Sequence, residues 1–381
     1  MKILQLGKFY PIRGGVEKVM WDLTQGLSQA GVSCDMLCAK LSHDGIDAKD
    51  TRFYDKDNAC FRFPGGGRVF LVPALAKKAA TMLSPAMVRW LRQHRDEYDL
   101  IHIHHPDPMA ALALKMSGFR GPVVLHWHSD ILSQRMLLAL YRPLQNWLIR
   151  RADRIVGTTP VYLKESPCLQ DVQEKCTAVP IGIAPVPEDP AGAEAIRKRF
   201  AGKQILLSIG RLVPYKGYRY LVEAVKHLPE DCHLVIGGSG PLKEELEAQI
   251  SRDGLQGRVS LIGYVSDEAL PAWFHACDVF ILSSVMKTEA FGIVQIEAMS
   301  CGKPVVATRI PGSGVAWVNA DGISGRNAAT EDAESLATAI QEVLKEKERF
   351  SEGAKQRYRQ YFRKEEMIQK TITIYDTLKN D

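Results

Sequence analysis

The 381-residue sequence predicts an α/β protein built from two doubly wound, Rossmann-like parallel-sheet domains that face each other across a cleft. Three observations predict it. Short apolar runs alternate with longer helical stretches along most of the chain, the pattern of parallel strands joined by crossover helices. The chain is longer than one hydrophobic core usually serves. A proline-rich passage, Pro180-Ile181-Gly182-Ile183-Ala184-Pro185-Val186-Pro187-Glu188-Asp189-Pro190, falls near the middle. Prolines at that density continue neither helix nor sheet, so the passage reads as a linker or hinge.

Before the linker, residues 3–6, 34–38, 100–104, 123–126 and 154–157 read as strands, and 16–30, 109–116 and 136–151 as helices. After it, strands are expected at 205–209, 233–237, 259–262, 279–282 and 304–307, with helices starting near 217, 242, 267 and 292. From residue 330 onward the chain reads as charged helix. Ligands of such sheets bind beyond the carboxyl ends of the strands, so the loops there are the places to search.

Apolar residues make up 46% and charged residues 24%, an ordinary soluble mixture that contains no 18-residue apolar run to cross a membrane. The N-terminus reads as a first strand and lacks a signal-peptide core, so a cytoplasmic location is expected. The eight cysteines show neither a CxxC pair nor metal-type spacing and read as buried free thiols. Charge is uneven: residues 1–180 carry 24 Lys and Arg against 17 Asp and Glu, whereas 181–381 carry 25 against 27. An anionic partner is therefore expected on the first half. No recognition-helix, RNP or zinc-finger pattern occurs, which argues against nucleic acid as that partner.

The most informative segment is Glu289-Ala290-Phe291-Gly292-Ile293-Val294-Gln295-Ile296-Glu297. A loop carboxylate, a Phe-Gly turn and a helix carrying a second carboxylate suit a sugar linked to a nucleoside diphosphate. Free N–H groups and the positive end of the helix dipole hold phosphate, and carboxylates hold hydroxyls. In Gly210-Arg211-Leu212-Val213-Pro214-Tyr215-Lys216-Gly217 two cations follow a strand, placed to neutralise a diphosphate. Gly14 and Gly15 sit between the first strand and its helix and permit close approach of a ligand. Gly237-Gly238-Ser239-Gly240-Pro241-Leu242 lacks the third glycine of a dinucleotide fingerprint, which argues against nicotinamide chemistry.

Histidines cluster at 102, 104, 105, 126 and 128. Alternation puts His126 and His128 on one strand face, with His128 at the strand end as the cleft candidate. His102 and His104 read as sheet or cleft-wall residues. Residues 68–95 hold Arg68, Lys77, Lys78, Arg89, Arg92 and Arg95 with no acid. Interleaved Trp90, Leu91, Met82 and Met87 suit an interfacial helix on anionic lipid, starting at Ser84-Pro85. An amphipathic helix packed on its own sheet is the alternative.

In their order and spacing, Gly14-Gly15, His128, Arg211 with Lys216, and the E-x7-E pair Glu289 and Glu297 resemble the retaining family-4 glycosyltransferases of the GT-B fold. The resemblance covers nearly the whole chain. It implies an acceptor-binding domain over 1–183, completed by a returning helix at about 363–381, and a nucleotide-sugar domain over 184–362. It assigns Arg211 and Lys216 to a diphosphate clamp, Glu289 to the donor sugar's hydroxyls and Glu297 to the ribose. Backbone amides of Phe291, Gly292 and Ile293 would touch sugar and phosphate, and the base would rest against Tyr264 and Val265. Gly14 and Gly15 would approach the diphosphate, with His128 near the reacting centre.

The activity implied is hexose transfer with retention, without metal or other cofactor, because lysine and arginine neutralise the leaving diphosphate and no DxD pair stands in a suitable loop. The expected partners are a nucleotide-sugar donor, a glycan or polyprenyl-diphosphate-linked acceptor and, through the first domain, an anionic membrane surface. A peripheral location on the inner face of the plasma membrane, in bacterial surface polysaccharide synthesis, follows. GDP-mannose is favoured as donor on a likeness to mannosyltransferases around 210–217 and 310–314, with UDP-hexoses as the alternative. A nucleotide-sugar epimerase or phosphorylase, or a silent sugar-nucleotide-binding subunit, are the other classes weighed. Intact Arg211, Lys216, Glu289 and Glu297 disfavour the silent subunit.

Overall fold

Strands buried on both faces need continuous rather than alternating apolar sequence, and both halves of the chain supply it. Val279-Phe280-Ile281-Leu282 and Val305-Val306-Ala307-Thr308 are buried at every position. In the computed structural model, which describes all residues except 13, 48–49, 52–53, 56–59, 79–80, 132–134 and 381, such strands form two sheets that are parallel except where β3, β4 and β5 pair antiparallel at the edge of the first.

The first unit comprises Met1–Gly182 together with Lys364–Asp381. Its strands are β1 (Lys2–Tyr10), β2 (Ser33–Leu41), β3 (Tyr54–Asp55), β4 (Cys60–Arg62), β5 (Arg68–Ala74), β6 (Ala76–Lys78), β7 (Thr81–Leu83), β8 (Leu100–His105), β9 (Val123–Trp127), β10 (Arg154–Gly157) and β11 (Cys176–Ala178). Nine of them make one sheet in the order β11-β10-β9-β8-β1-β2-β5-β4-β3, while β6 and β7 form a separate hairpin. Chain order reverses between β1 and β8, which makes their carboxyl ends the switch point where ligands of such sheets bind. Its helices are α1 (Gly15–Gln29), α2 (Pro85–His94), α3 (Pro108–Ser117), α4 (Arg135–Arg151) and α5 (Pro160–Glu165).

The second unit, Ile183–Arg363, holds β12 (Gln204–Ile209), β13 (Cys232–Gly237), β14 (Val259–Gly263), β15 (Val279–Leu282), β16 (Val305–Thr308) and β17 (Gly325–Ala328). Their order is β14-β13-β12-β15-β16-β17, with its switch point between β12 and β15. The helices are α6 (Pro190–Arg199), α7 (Tyr218–Ala224), α8 (Lys243–Arg252), α9 (Leu270–Ala276), α10 (Ile293–Ser300), α11 (Val315–Val318), α12 (Ala333–Lys345) and α13 (Lys347–Tyr361). Leu206, Ile236 and Ile281 of the sheet pack with Leu221, Leu246 and Ile340 of α7, α8 and α12 in one core. The last helix, α14 (Lys364–Asn380), belongs to the first unit and packs on α1.

Helix starts follow a simple local rule. Ser84, Asp107, Thr159 and Asp189 each stand before a proline, and each side chain accepts a backbone N–H of the turn it opens. The residue caps an orphan donor while proline, which has none to satisfy, takes the first helical position.

Several sequence expectations need correction. The 180–190 linker ends in a helix rather than running through as coil, because Asp189-Pro190 is one of these starts. The bounds between the units fall one residue inside the expected ones, since Ile183 and Arg363 pair with each other within the second unit. Strand β17 was not expected; its Gly-Arg-Asn-Ala sequence carries little apolar signal. In the 68–95 segment the strands at 68–74, 76–78 and 81–83 were not expected, whereas the helix expected from Ser84-Pro85 is α2, Pro85–His94. The apolar side of that helix is used internally: Met87 and Leu91 are buried and Trp90 packs on Phe70. Cys168 is exposed, whereas Cys34, Cys38, Cys60, Cys232 and Cys277 are buried free thiols.

Candidate active site

The site residues expected from sequence divide between the units: Gly14, Gly15 and His128 lie in the first, the remainder in the second. In the second unit the loops after β12 and β15 meet at the switch point. Lys216 Nζ lies 2.5 Å from Glu289 Oε2, and Ser284 Oγ donates to the same oxygen at 2.9 Å. Two further bonds stitch these loops together: Ser283 Oγ donates to Lys216 O at 2.9 Å and Val285 N donates to Tyr215 O at 2.8 Å. Gly217 has φ +66°, and a Cβ there would lie 2.1 Å from the carbonyl oxygen of Ser283. Glycine is what lets the two loops touch.

Glu289 leads into α10. Gly292 caps this helix at φ +73°, where a Cβ would meet Leu282 Cδ2 at 2.6 Å. The carbonyls of this turn are held from behind. Ser313 Oγ donates to Glu289 O at 2.5 Å, Gly314 N to Ala290 O at 3.0 Å, and Gln295 Nε2 to Phe291 O at 2.9 Å. Phe291 is buried edge-on against Phe362. The turn is thus fixed with the first N–H groups of α10 lacking intrahelical acceptors, an arrangement that favours an anion. Glu297 lies one turn further along α10 and is half-buried. An ammonium, a helix N-terminus and a carboxylate therefore adjoin at one sheet edge.

Arg211 is not brought to Glu289. It is exposed, and its Nη2 donates to Tyr215 OH at 3.2 Å. Tyr264 is 73% exposed and Val265 half-buried, in the loop after β14. That loop is tied to its neighbour by Gly238 N donating to Gly263 O at 2.7 Å.

In the first unit Gly14 caps α1 in extended conformation and Gly15 opens the helix. A Cβ on Gly14 would meet only the carboxylate of Glu17, the far end of a flexible side chain that can turn aside. His128 is 4% exposed, stacks on His126 with ring centroids 4.0 Å apart, and places Nε2 2.8 Å from His104 Nδ1. His102, His104, His105 and His126 are buried with it. Desolvation holds all five imidazoles below their ordinary pKa, His105 and His126 down to about 3, so they are neutral at pH 7. His102, His104 and His126 bring ligand-type nitrogens within 4.8 Å of one another.

Sequence reasoning missed Lys8, Asp107, Gln5 and Tyr375. Lys8 is buried at φ +59° within β1, where the pairing with β2 slips register between Leu6 and Phe9. Its backbone N–H donates to Asp107 Oδ2 at 2.5 Å and its ammonium to Pro106 O at 2.5 Å, which joins the carboxyl end of β1 to the loop after β8 at the first switch point. Desolvation lowers the Lys8 pKa and raises that of Asp107. A lysine just past the apolar run of the first strand was the available signal. Gln5 sits inside an apolar strand, where a lone amide signals a buried polar network.

The comparisons with known proteins agree with this architecture. Residues 13–185 match the description Glycosyltransferase Family 4, and residues 193–364 match Glycosyl transferases group 1. The chain belongs to these glycosyltransferases, and its two Rossmann-like units are those of the GT-B fold. It is 29% identical over 387 residues to O-antigen chain mannosyltransferase C of Escherichia coli, covering 99% of each chain. It is also 29% identical over 370 residues to a D-rhamnosyltransferase of Pseudomonas aeruginosa, covering 95% of this chain and 92% of that one. Among solved structures, Anabaena HepE in complex with UDP superposes with a TM-score of 0.77 at 23% identity, covering 99% of this chain and all of that one.

Proposed function

We propose that this glycosyltransferase moves a manno-configured hexose, from GDP-mannose in the favoured form, onto a lipid-linked glycan of a bacterial surface polysaccharide, with retention. The observation that carries the reading is the Lys216–Glu289 pair beside the N-terminus of α10, at the switch point of the second sheet. Cation and helix end together suit a departing diphosphate, and the carboxylate, released from Lys216 by that phosphate, suits the sugar hydroxyls. Arg211, exposed and hydrogen-bonded to Tyr215, could swing onto the same diphosphate. Glu297 would hold the ribose, amides of Phe291, Gly292 and Ile293 the phosphate, and Tyr264 and Val265 the base. Gly14 and Gly15 would approach the diphosphate, and His128 would bind a hydroxyl near the reacting carbon.

Departure of the diphosphate would leave an oxocarbenium-like carbon, attacked by the acceptor on the face the phosphate left. The leaving oxygen would take the acceptor's proton. Lys216, Arg211 and the helix end supply the positive charge, so the reading needs no metal. Two relatives matched over nearly their full length support the sugar: they are named for mannosyl and D-rhamnosyl transfer, and D-rhamnose is 6-deoxymannose.

For the acceptor, the first unit offers a cavity of about 720 Å³ lined by Asp130, Arg142, Gln145, Arg150 and Asp171 among others. Helix α4, which forms one wall, also exposes Met136 at 85% and Leu140 at 80%. Arginines beside an apolar helix face suit a polyprenyl diphosphate and a peripheral position on an anionic membrane. This shifts the membrane contact proposed from sequence toward α4, because the apolar residues of α2 are already packed.

The test is a panel of GDP-, UDP- and ADP-hexoses offered with a polyprenyl-diphosphate glycan, the product's anomeric configuration being read by NMR. Transfer from GDP-mannose to give an α-linked product that survives chelator is the expected result. A β-linked product would overturn retention, loss of transfer in chelator would overturn metal independence, and selective use of UDP-hexose would replace the donor.

A further inference from the structure

Four hydrogen bonds run in one chain through the interior of the first unit. His128 Nε2 meets His104 Nδ1 at 2.8 Å, and His104 Nε2 meets Gln5 Oε1 at 2.7 Å. Gln5 Nε2 meets Tyr375 OH at 3.0 Å, and Tyr375 OH meets His102 Nδ1 at 2.6 Å. All five side chains are at most 4% exposed. They come from β1, β8, the end of β9 and α14, so the chain crosses the sheet and ends on the C-terminal helix.

An amide makes this chain directional, because its oxygen only accepts and its nitrogen only donates. With Gln5 Oε1 facing His104, the His104 proton must sit on Nε2. A neutral imidazole carries one N–H, so His104 Nδ1 is bare and must accept from His128 Nε2–H. His128 is then bare at Nδ1. On the other side Gln5 Nε2–H donates to Tyr375, whose single proton goes to His102 Nδ1. No donor meets a donor anywhere along the line. The weak second contact of Gln5 Nε2, 3.8 Å from Cys34 Sγ, fits the same amide orientation.

We infer that Gln5 and His104, anchored by Tyr375 of α14, are positioning residues that hold His128 as its Nε2–H tautomer and leave Nδ1 as an acceptor for a ligand hydroxyl. This rests on the reading of His128 as a residue of the active site. In that form His128 recognises a sugar or acceptor O–H, and a bare phosphate oxygen is refused at Nδ1, since two acceptors would face each other. The tautomer of a histidine is set by the partner of its other nitrogen, and at metal-bound histidines losing such a partner costs about ten- to a hundredfold in metal affinity or activity.

The experiment is a two-bond ¹⁵N–¹H correlation NMR spectrum of the full-length apoprotein labelled at histidine, with His128 assigned from a His128→Asn variant. The expected spectrum shows His128 neutral, protonated at Nε2 and bare at Nδ1. Gln5→Met should mix the two tautomers and lower kcat about tenfold or more, whereas Gln5→Glu, which keeps an acceptor toward His104, should keep the wild-type tautomer. Tyr375→Phe should leave the Gln5–His104 bond but loosen it, giving a smaller fall. A wild-type His128 protonated at Nδ1, or a tautomer unchanged in Gln5→Met, overturns the inference. Failure of the underlying reading is seen separately: His128→Asn with full transfer removes His128 from the active site whatever its tautomer.

Discussion

Acidification should unfold the first unit through its histidines, by an amount the structure allows to be worked out. His105 and His126 are fully buried, with pKa values lowered from 6.5 to about 3 by desolvation. Above pH 6.5 both the folded and unfolded chains hold them neutral, and their contribution to stability is fully retained. As the pH falls from 6.5 toward 3 the unfolded chain takes up protons that the folded chain refuses, so stability is lost in that window. At about 1.4 kcal/mol per pH unit, moving from pH 7 to pH 5 costs about 2 kcal/mol for each of the two. His102, His104 and His128 act with the same sign, whereas Asp107, whose pKa is raised, works against them. The cleanest perturbation is His126→Leu, because among the described residues neither ring nitrogen of His126 has a hydrogen-bond partner to lose. Urea unfolding at pH 7 and pH 5, followed by tryptophan fluorescence, should show the variant losing about 2 kcal/mol less than wild type over this interval. Equal losses in the two proteins would refute a buried, neutral His126.

Other outcomes follow from the same geometry. Gly217→Ala forces a Cβ against the Ser283 carbonyl at positive φ and should cost at least about 2 kcal/mol, lowering the melting temperature of the second unit by about 4–8 °C in calorimetry. Met136→Ser with Leu140→Ser should reduce partitioning onto anionic vesicles about a hundredfold, if each side chain inserts and contributes at least about 1.5 kcal/mol. Neutralising Lys77, Arg89 or Arg92 should each reduce it only about fivefold. Vesicle binding unchanged in the Met136 and Leu140 variant would remove α4 from the contact.

Much of the fold was legible because parallel strands buried on both faces write themselves as apolar runs. Residues 154–157 and 279–282 were placed with the bounds the structure has. What failed lacked that signal. Strand β17 is held by register with β16 rather than by its own composition. In the 68–95 segment, charge and apolar spacing could not distinguish a helix facing lipid from one facing Phe70 and its own sheet. The loop motifs were legible as chemistry because Lys216, Glu289 and Gly292 lie directly after strands, and the short loops bring the first two together across 73 residues. The histidine network was not. Its members come from β1, β8, β9 and α14, and the bond from Gln5 to Tyr375 spans 370 residues, beyond any local pattern.

The central claim is that the Lys216–Glu289 pair at the second switch point is donor-binding machinery rather than a structural ion pair. Its most direct test is the transfer rate of Glu289→Ala with the donor that the panel selects, measured beside the variant's melting temperature. Both side chains are mostly buried, 11% and 13% exposed, so the melting temperature should fall by several degrees while the variant stays folded at the assay temperature and transfer falls by about a hundredfold or more. A variant that transfers at the wild-type rate, or one that loses activity only because it unfolds, would contradict the account.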